Sequence, residues 1–197
     1  MHLFVNIYLN FFIDEFIDYL KMKLLAESTC KTIINASIES IDLTEWLFTL
    51  KDSEYQICSK DHIAAGNSIS ENGKRMSINV EQIAGNLLIQ HYVEDISQKD
   101  HCRVQSISDS IAAAGKTKLH IVWELKIEKK DLSSCELSNH VIVNATDDFL
   151  NLLNHLNIKN LDSISNEMLQ NLIQHNEEET PLFANDIERK ALKGIWS

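Results

Sequence analysis

Apolar and polar side chains alternate along most of the chain between residues 74 and 143. The clearest run is residues 118–127. Its apolar positions are Leu119, Ile121, Trp123, Leu125 and Ile127, and its polar positions include Lys118, His120, Glu124 and Lys126. A period of two is typical of a strand that buries one face and exposes the other. The pattern therefore predicts an antiparallel sheet with one apolar face.

The same pattern, with turn residues between the runs, predicts seven strands. Their ranges are 31–38, 61–70, 75–82, 86–96, 102–108, 116–128 and 135–145. Between the second and third strands, Asn72 and Gly73 supply the positive φ angles of a tight hairpin turn. Two short helices are predicted after the first strand. One is capped by Ser40 or Asp42, and the other begins at Asp52.

After the last strand the apolar period becomes helical. Residues 147–156 predict a helix that begins with two aspartates, and residues 157–160 interrupt it. A second helix, capped by Ser163 or Ser165, is expected to end before Pro181, because proline breaks a helix interior. Residues 183–196 then form a short amphipathic tail. Either one helix or two could cover the sheet.

The first residues of the chain form a separate pattern. Residues 3–20 predict an amphipathic helix with a narrow polar stripe, and its acidic residues make it a poor membrane span. The helix could pack on the body or join copies into a homo-oligomer, and another option is that synthesis starts at Met22. We expect an N-terminal helix or extension over residues 1–29, a ligand-binding domain over 30–157 and a C-terminal helical extension over 158–197.

Alternation also predicts which side chains face the inside of the sheet. The apolar positions of residues 118–127, including Trp123, are expected on this inner face. The other apolar residues expected there are Ile63, Ala65, Met76, Ile78, Val80, Leu87, Ile89, Val93, Cys102, Val104, Leu137, Val141 and Val143. Four polar residues share these positions, namely Asn67, His91, Ser106 and Asn139. A buried polar group needs a partner, so each must contact a neighbour, a water or a ligand.

Composition narrows the class of protein. The chain has 197 residues, 44% of them hydrophobic, which is enough for one domain with a substantial core. A formal charge of −11 argues against nucleic acid or an anionic membrane as a partner, because both attract clustered Lys and Arg. The four cysteines lie far apart in the sequence, as in a reduced, cytoplasmic protein.

The order of elements resembles that of the START/Bet v 1-like (SRPBCC, helix-grip) superfamily. Residues 90–94 (QHYVE), 123–125 (WEL) and 175–184 (HNEEETPLFA) look similar to an uncharacterised bacterial branch of it. The resemblance implies an α+β fold with a strongly bent, seven-stranded antiparallel sheet wrapped around a C-terminal helix. It also implies an internal cavity for an apolar molecule. The Gly-rich loop of the plant relatives is absent, since only Gly66 and Gly73 lie near that hairpin.

Three functions remain open. The first is binding of a small hydrophobic molecule of lipid, polyketide or aromatic type, in a cavity lined by Ile78, Ile89, His91, Val104, Ile121, Trp123, Asn139 and Val141. The second is a polyketide cyclase or dehydratase-like enzyme, with His91 as acid and base and Asn139 or Ser106 at a developing oxyanion. The third is a protein-interaction module whose core is filled by its own side chains.

The remaining titratable residues predict no site. His101, His120 and His140 lie near Glu124 on the polar face, but nothing in their spacing forces them to converge on one ion. Residues 177–179 are an acidic run that we expect to face solvent. We therefore expect no metal and no cofactor.

Overall fold

The computed structural model describes residues 22–196, so the helix predicted over residues 3–20 and the alternative start lie outside the described part. A seven-stranded antiparallel sheet forms the body of these residues. The strands are β1 (Lys23–Ile34), β2 (His62–Ile69), β3 (Arg75–Ile83), β4 (Asn86–Ser97), β5 (His101–Ala112), β6 (Gly115–Lys129) and β7 (Cys135–Ala145). Their spatial order is β1-β7-β6-β5-β4-β3-β2. The predicted number of strands is confirmed.

Four α-helices accompany the sheet in the described part of the chain. They are α1 (Leu43–Thr49), α2 (Asp52–Gln56), α3 (Asp147–His155) and α4 (Leu161–Leu192), and a 3₁₀ turn at Ile38–Ser40 precedes α1. Asp42 caps α1 as predicted, because its side chain accepts a hydrogen bond from the backbone of Glu45. The cap of α4 is Asn160, not Ser163 or Ser165.

The first strand begins earlier than its β-branched residues predict. β1 starts at Lys23 and pairs with β7 along its whole length, from Lys23 opposite Ala145 to Ile34 opposite Cys135. The range 31–38 was therefore wrong at both ends, because the partner strand determines the length of a ladder and local propensity does not. Residues 23–29, expected in the N-terminal extension, form the first half of β1.

Proline does not end the last helix. Pro181 lies inside α4, and residues 183–192, expected in a separate tail, continue it. Pro181 and Glu177 are both exposed, so water can bond the Glu177 carbonyl that loses its helical partner. Phe183 and Ile187 on the opposite face are fully buried. Their packing outweighs the cost of the proline, which is about 3 kcal/mol.

The concave face of the sheet follows the predicted alternation in β5, β6 and β7. Its buried residues there include Cys102, Val104, Ser106, Leu119, Ile121, Trp123, Leu125, Ile127, Leu137, Asn139, Val141 and Val143. The last helix packs against β1 and β7 of this sheet. At one end of the concave face, Trp46 of α1 meets Phe183 edge to face and donates a hydrogen bond from Nε1 to Asp186 of α4, 2.9 Å away.

The predicted alternation is wrong in β3 and β4. Three cross-strand pairs face inward, namely Ser77 with Tyr92, Asn79 with Gln90 and Glu81 with Leu88, and all six residues are buried. The apolar positions between them therefore lie on the convex face, including Met76, Ile78, Val80, Leu87, Ile89 and Val93. The inward orientation predicted for Ile63 in β2 is also wrong, since this residue is 44% exposed and lies beside a register shift. Hydrogen bonding of the inward polar groups to one another permits this reversal.

Candidate functional site

A cavity of about 340 Å³ lies between the concave face of the sheet and the last two helices. The end of the β5–β6 hairpin forms one wall, α3 forms the second and the first turns of α4 form the third. The apolar lining includes Leu88, Ala112, Ala114, Leu119, Ile121, Val143, Phe149, Leu152, Leu153, Leu156, Ile164, Met168 and Leu172. Both α3 and α4 therefore cover the cavity.

A single hydroxyl stands out in this apolar wall. Thr117 is buried, and its Oγ1 has no hydrogen-bond partner. An unpaired buried hydroxyl costs about 1–3 kcal/mol, so a native structure rarely keeps one without a water or a ligand. Thr117 and nearby Ser110 both line the cavity.

A smaller chamber of about 60 Å³, lined by both apolar and polar side chains, lies beside the cavity. The two spaces share wall residues Ile83, Leu88, Ile121, Val143 and Leu172, so they are adjacent. The chamber is also lined by Tyr55, Asn79, Glu81, Gln90, Tyr92, Trp123, His175, Glu179 and Phe183. The reversed alternation of β3 and β4 supplies three of its polar groups, which are Asn79, Glu81 and Gln90.

Four buried ionisable side chains converge beside the chamber. His62 Nε2 lies 3.2 Å from Glu179 Oε2 and 3.7 Å from Glu81 Oε2. His175 Nε2 lies 3.4 Å from each of the same two oxygens. His62 begins β2, Glu81 lies near the end of β3, and His175 and Glu179 occupy one face of α4. The cluster therefore connects the helix to the far edge of the sheet.

Neutral hydrogen-bond donors hold the two carboxylates in place. Gln90 donates from Nε2 to Glu81 Oε1, and the Tyr55 hydroxyl donates to Glu81 Oε2. Asn139 Nδ2 donates to Glu179 Oε1 at 3.1 Å. The Tyr55 ring also stacks on the His62 ring with centroids 3.8 Å apart. Each carboxylate thus uses Oε1 for an amide and directs Oε2 toward the histidines.

Charge coupling in the cluster shifts two pKa values strongly. Burial alone lowers the pKa of His175, but the negative charges of Glu179 and Glu81 outweigh burial and raise it to about 11. Burial raises the pKa of Glu179, but the positive charge of His175 and hydrogen bonds from both histidines outweigh it and lower the pKa to about 2. His175 and Glu179 therefore form an ion pair at neutral pH.

A second cleft, of about 210 Å³, lies on the outer side of His175. Its polar lining residues are Lys60, Asp61, Asn171, Gln174, His175 and Glu178. The Nδ1 atom of His175 is 3.6 Å from Asp61 Oδ2 and has no hydrogen-bond partner. His175 therefore separates the inner chamber from the outer cleft.

The structure divides the residues expected to bind a ligand into three groups. Ile121, Trp123 and Val141 line the chamber. Val104 and Asn139 are fully buried on the same face, and Asn139 accepts a hydrogen bond from Trp123 Nε1 at 2.8 Å. In contrast, Ile78, Ile89 and His91 lie on the convex face, since Ile78 pairs with His91 and neither shares the inward row of β3 and β4.

Several residues of the chamber were missed by alternation. Glu179 was expected in a solvated acidic run, but it is buried and only Glu177 of that run is exposed. Two sequence signals mark residues of the cluster, although neither shows that these residues are buried. His175 and Glu179 are four residues apart on one helix face, and Ser77, Asn79 and Glu81 form a polar row in a predicted strand.

The histidines of the convex face contact carboxylates. His101 contacts Glu124, and His140 lies 2.8 Å from Glu27 Oε1 and 3.3 Å from Glu124 Oε2. These side chains are partly exposed, as expected for the polar face. His120, which lies on β6 with Glu124, approaches Gln105 and Asn144.

Solved structures share this fold at low sequence identity. The Zhui aromatase/cyclase from Streptomyces sp. R1128 is 12% identical, with a TM-score of 0.58 over 83% of this chain and 94% of that one. A conserved protein from Geobacillus kaustophilus is 10% identical, with a TM-score of 0.51 over 85% of this chain and 95% of that one.

A di-domain protein extends the comparison. StfQ, an ARO/CYC from the steffimycin biosynthetic pathway, is 8% identical with a TM-score of 0.55 over 85% of this chain. The present chain spans about half of StfQ, 52% of its length. No protein-family model and no curated protein sequence matches the chain.

These similarities show the fold alone, because identities this low do not transfer an activity. The chain has the helix-grip fold that its element order predicts. Among residues 22–196, no helix is both long and apolar enough to cross a membrane.

Replacement of Asn139 by leucine tests the polar network. Asn139→Leu keeps the branching at Cγ but leaves Trp123 Nε1 and Glu179 Oε1 without the amide. We expect a loss of about 3 kcal/mol in the free energy of unfolding, measured with urea, since each unpaired group costs about 1–3 kcal/mol. The control is Asn144→Leu, on the opposite face of β7, which should cost less. Equal losses in the two variants would contradict the network.

Proposed function

We propose that the protein binds a small, mainly apolar molecule in the cavity between the sheet and α3 and α4. The observation that supports this proposal is the cavity itself, about 340 Å³ in volume and lined mostly by aliphatic and aromatic side chains. Its volume falls in the range of about 300–1,000 Å³ that is usual for small-molecule sites. Affinity would come mainly from burial of apolar surface, at about 25 cal/mol per Å².

The lining also favours a neutral ligand. No Lys or Arg of the described chain lines the cavity or the adjacent chamber, whereas Glu167, Glu81 and Glu179 do. A carboxylate or phosphate buried there would have no Lys or Arg as a partner, which is costly. We therefore propose a neutral molecule with an apolar or aromatic body and a hydroxyl or carbonyl group that contacts Thr117.

A second candidate function is an enzyme of the polyketide cyclase or dehydratase kind. The observation that favours it is the pair of ionisable side chains, His175 and Glu81, that line the chamber beside the cavity. His91 lies on the convex face, so an acid and base at the cavity would come from this cluster. The third hypothesis, an interaction module with a filled core, receives no support from a fold that contains the cavity.

We further propose a cytoplasmic location. All four cysteines are free thiols, and Cys58, Cys102 and Cys135 are buried. Burial raises the pKa of Cys58 to about 12 and the pKa values of Cys102 and Cys135 to about 11. Such thiols resist oxidation. Free cysteines that form no disulfide are typical of proteins in a reducing compartment.

Filling the cavity tests the first function. Ser110 lines the cavity and is 7% exposed, so Ser110→Trp should occupy part of the volume that a ligand needs. We expect the affinity for the neutral fluorescent probe N-phenyl-1-naphthylamine to fall at least about tenfold, equivalent to about 1.4 kcal/mol. The control is Ile107→Trp, on the convex face of the same strand and 48% exposed, which should bind the probe normally. Equal binding by both variants would contradict a ligand in this cavity.

Removal of the unpaired Thr117 hydroxyl gives a second test, in which the expected change in stability is a gain. Thr117→Val removes the unpaired Oγ1 and keeps the shape, so the unliganded protein should gain about 1 kcal/mol in its free energy of unfolding. Native mass spectrometry of the freshly purified wild-type protein should show a retained small molecule, and Thr117→Val should retain less of it. Destabilisation of the variant with unchanged ligand retention would show that Thr117 bonds within the protein and not to a ligand.

A further inference from the structure

The buried cluster of His62, Glu81, His175 and Glu179 has the geometry of a metal site. The four nitrogen-to-oxygen distances in it are 3.2, 3.4, 3.4 and 3.7 Å. Zinc binds histidine nitrogen and carboxylate oxygen at about 2.0–2.2 Å, so neighbouring ligand atoms of a tetrahedral site lie about 3.3–3.6 Å apart. The ligand atoms of His62, Glu81 and His175 all lie within 4.8 Å of one another, so one ion could contact these three side chains. Glu179 Oε2 lies 3.2 Å from His62 Nε2 and 3.4 Å from His175 Nε2, and it could join them as a fourth ligand after adjustment.

The hydrogen bonds of His62 also suit a metal ligand. Its Nδ1 lies 2.8 Å from the carbonyl oxygen of Tyr55, and a carbonyl only accepts, so Nδ1 carries a hydrogen. Its Nε2 faces the oxygens of Glu179 and Glu81, so it can either donate a hydrogen to them or present its lone pair to an ion held between them. A backbone carbonyl on the second ring nitrogen is the usual partner of a metal-binding histidine.

The surrounding groups also match a metal site. Gln90 and Asn139 hold the outer oxygen of each carboxylate, as outer partners of metal ligands do. Two carboxylates carry a charge of −2, which a divalent ion balances when it displaces the proton that His175 holds in the ion pair with Glu179. The outer cleft beside His175, lined by Lys60, Asp61 and Glu178, provides a polar approach to the cluster.

We propose that His62, Glu81, His175 and Glu179 bind a divalent transition-metal ion, with Zn²⁺ as the best fit to two imidazole nitrogens and two carboxylate oxygens. This site differs from the group of His101, His120 and His140 that the sequence excluded, and it replaces the expectation of no metal. The proposal does not depend on which molecule the apolar cavity binds.

Titration with Co²⁺ tests the site. The full chain is treated with a chelator, dialysed and titrated with Co²⁺, which absorbs intensely in the visible range when four-coordinate. We expect one equivalent to bind with this absorption and to be displaced by Zn²⁺. His175→Gln and Glu179→Gln should each weaken binding more than about 100-fold, because loss of a ligand exceeds loss of an outer partner.

Matched controls separate this site from surface binding. His140→Gln changes a histidine that contacts two carboxylates on the convex face, and Glu177→Gln changes an exposed carboxylate of α4. Both should bind Co²⁺ as the wild type does. The proposal is overturned if the wild-type chain binds no stoichiometric ion and the cluster holds protons instead, or if His175→Gln and Glu179→Gln bind normally.

X-ray absorption at the zinc edge provides a test that needs no variant. The Zn²⁺-loaded wild-type protein should show only nitrogen and oxygen neighbours at about 2.0–2.2 Å, with the outer scattering of two imidazole rings. A sulfur neighbour at about 2.3 Å would place the ion on a cysteine and would overturn the assignment.

Discussion

Four buried ionisable side chains connect α4 to the far edge of the sheet. Burying a charge is expensive unless it is paired and hydrogen-bonded, so His62, Glu81, His175 and Glu179 are stable only at one relative position of helix and sheet. A shift of α4 by one residue would turn both of its charged side chains away from their partners. The cluster thus selects one register of the helix, and packing of Phe183 and Ile187 supplies the apolar contribution.

Neighbouring polar groups extend this constraint along the helix. Asn176 of α4 donates from Nδ2 to the backbone carbonyl of Asn139 and to the hydroxyl of Ser28. Thr180 bonds Asn139 from the same helix face. These contacts fix the middle of α4 on β1 and β7, whereas its first turns, with Ile164 and Met168, stand over the apolar cavity. The middle of α4 is therefore held on the sheet by polar contacts, and the first turns of the same helix cover the cavity.

The same constraint explains the reversal of β3 and β4. Their inward row must supply a carboxylate and an amide to the cluster, so Glu81, Asn79 and Gln90 face the core and the aliphatic positions face outward. A register shift of one residue would exchange the two faces and remove Glu81 from the histidines. Polar pairing among the inward groups offsets the cost of burying them, while Ile78 and Ile89 remain partly covered on the convex face.

The sequence by itself determined the number of strands, the hairpin turn with a positive φ at Gly73 though not at Asn72, the short helices after β1 and the inward row of β5, β6 and β7. These features depend on the local propensities of the residues and on the period of the apolar positions, and both can be read from residues that are close in the sequence. It could not predict that Pro181 lies within α4, that Glu179 is buried or that β3 turns its polar row inward. Each depends on partners about a hundred residues away, such as His62 for Glu179, and local rules assume that polar side chains face water. Only the tertiary structure decides where a buried polar partner makes the opposite orientation more stable.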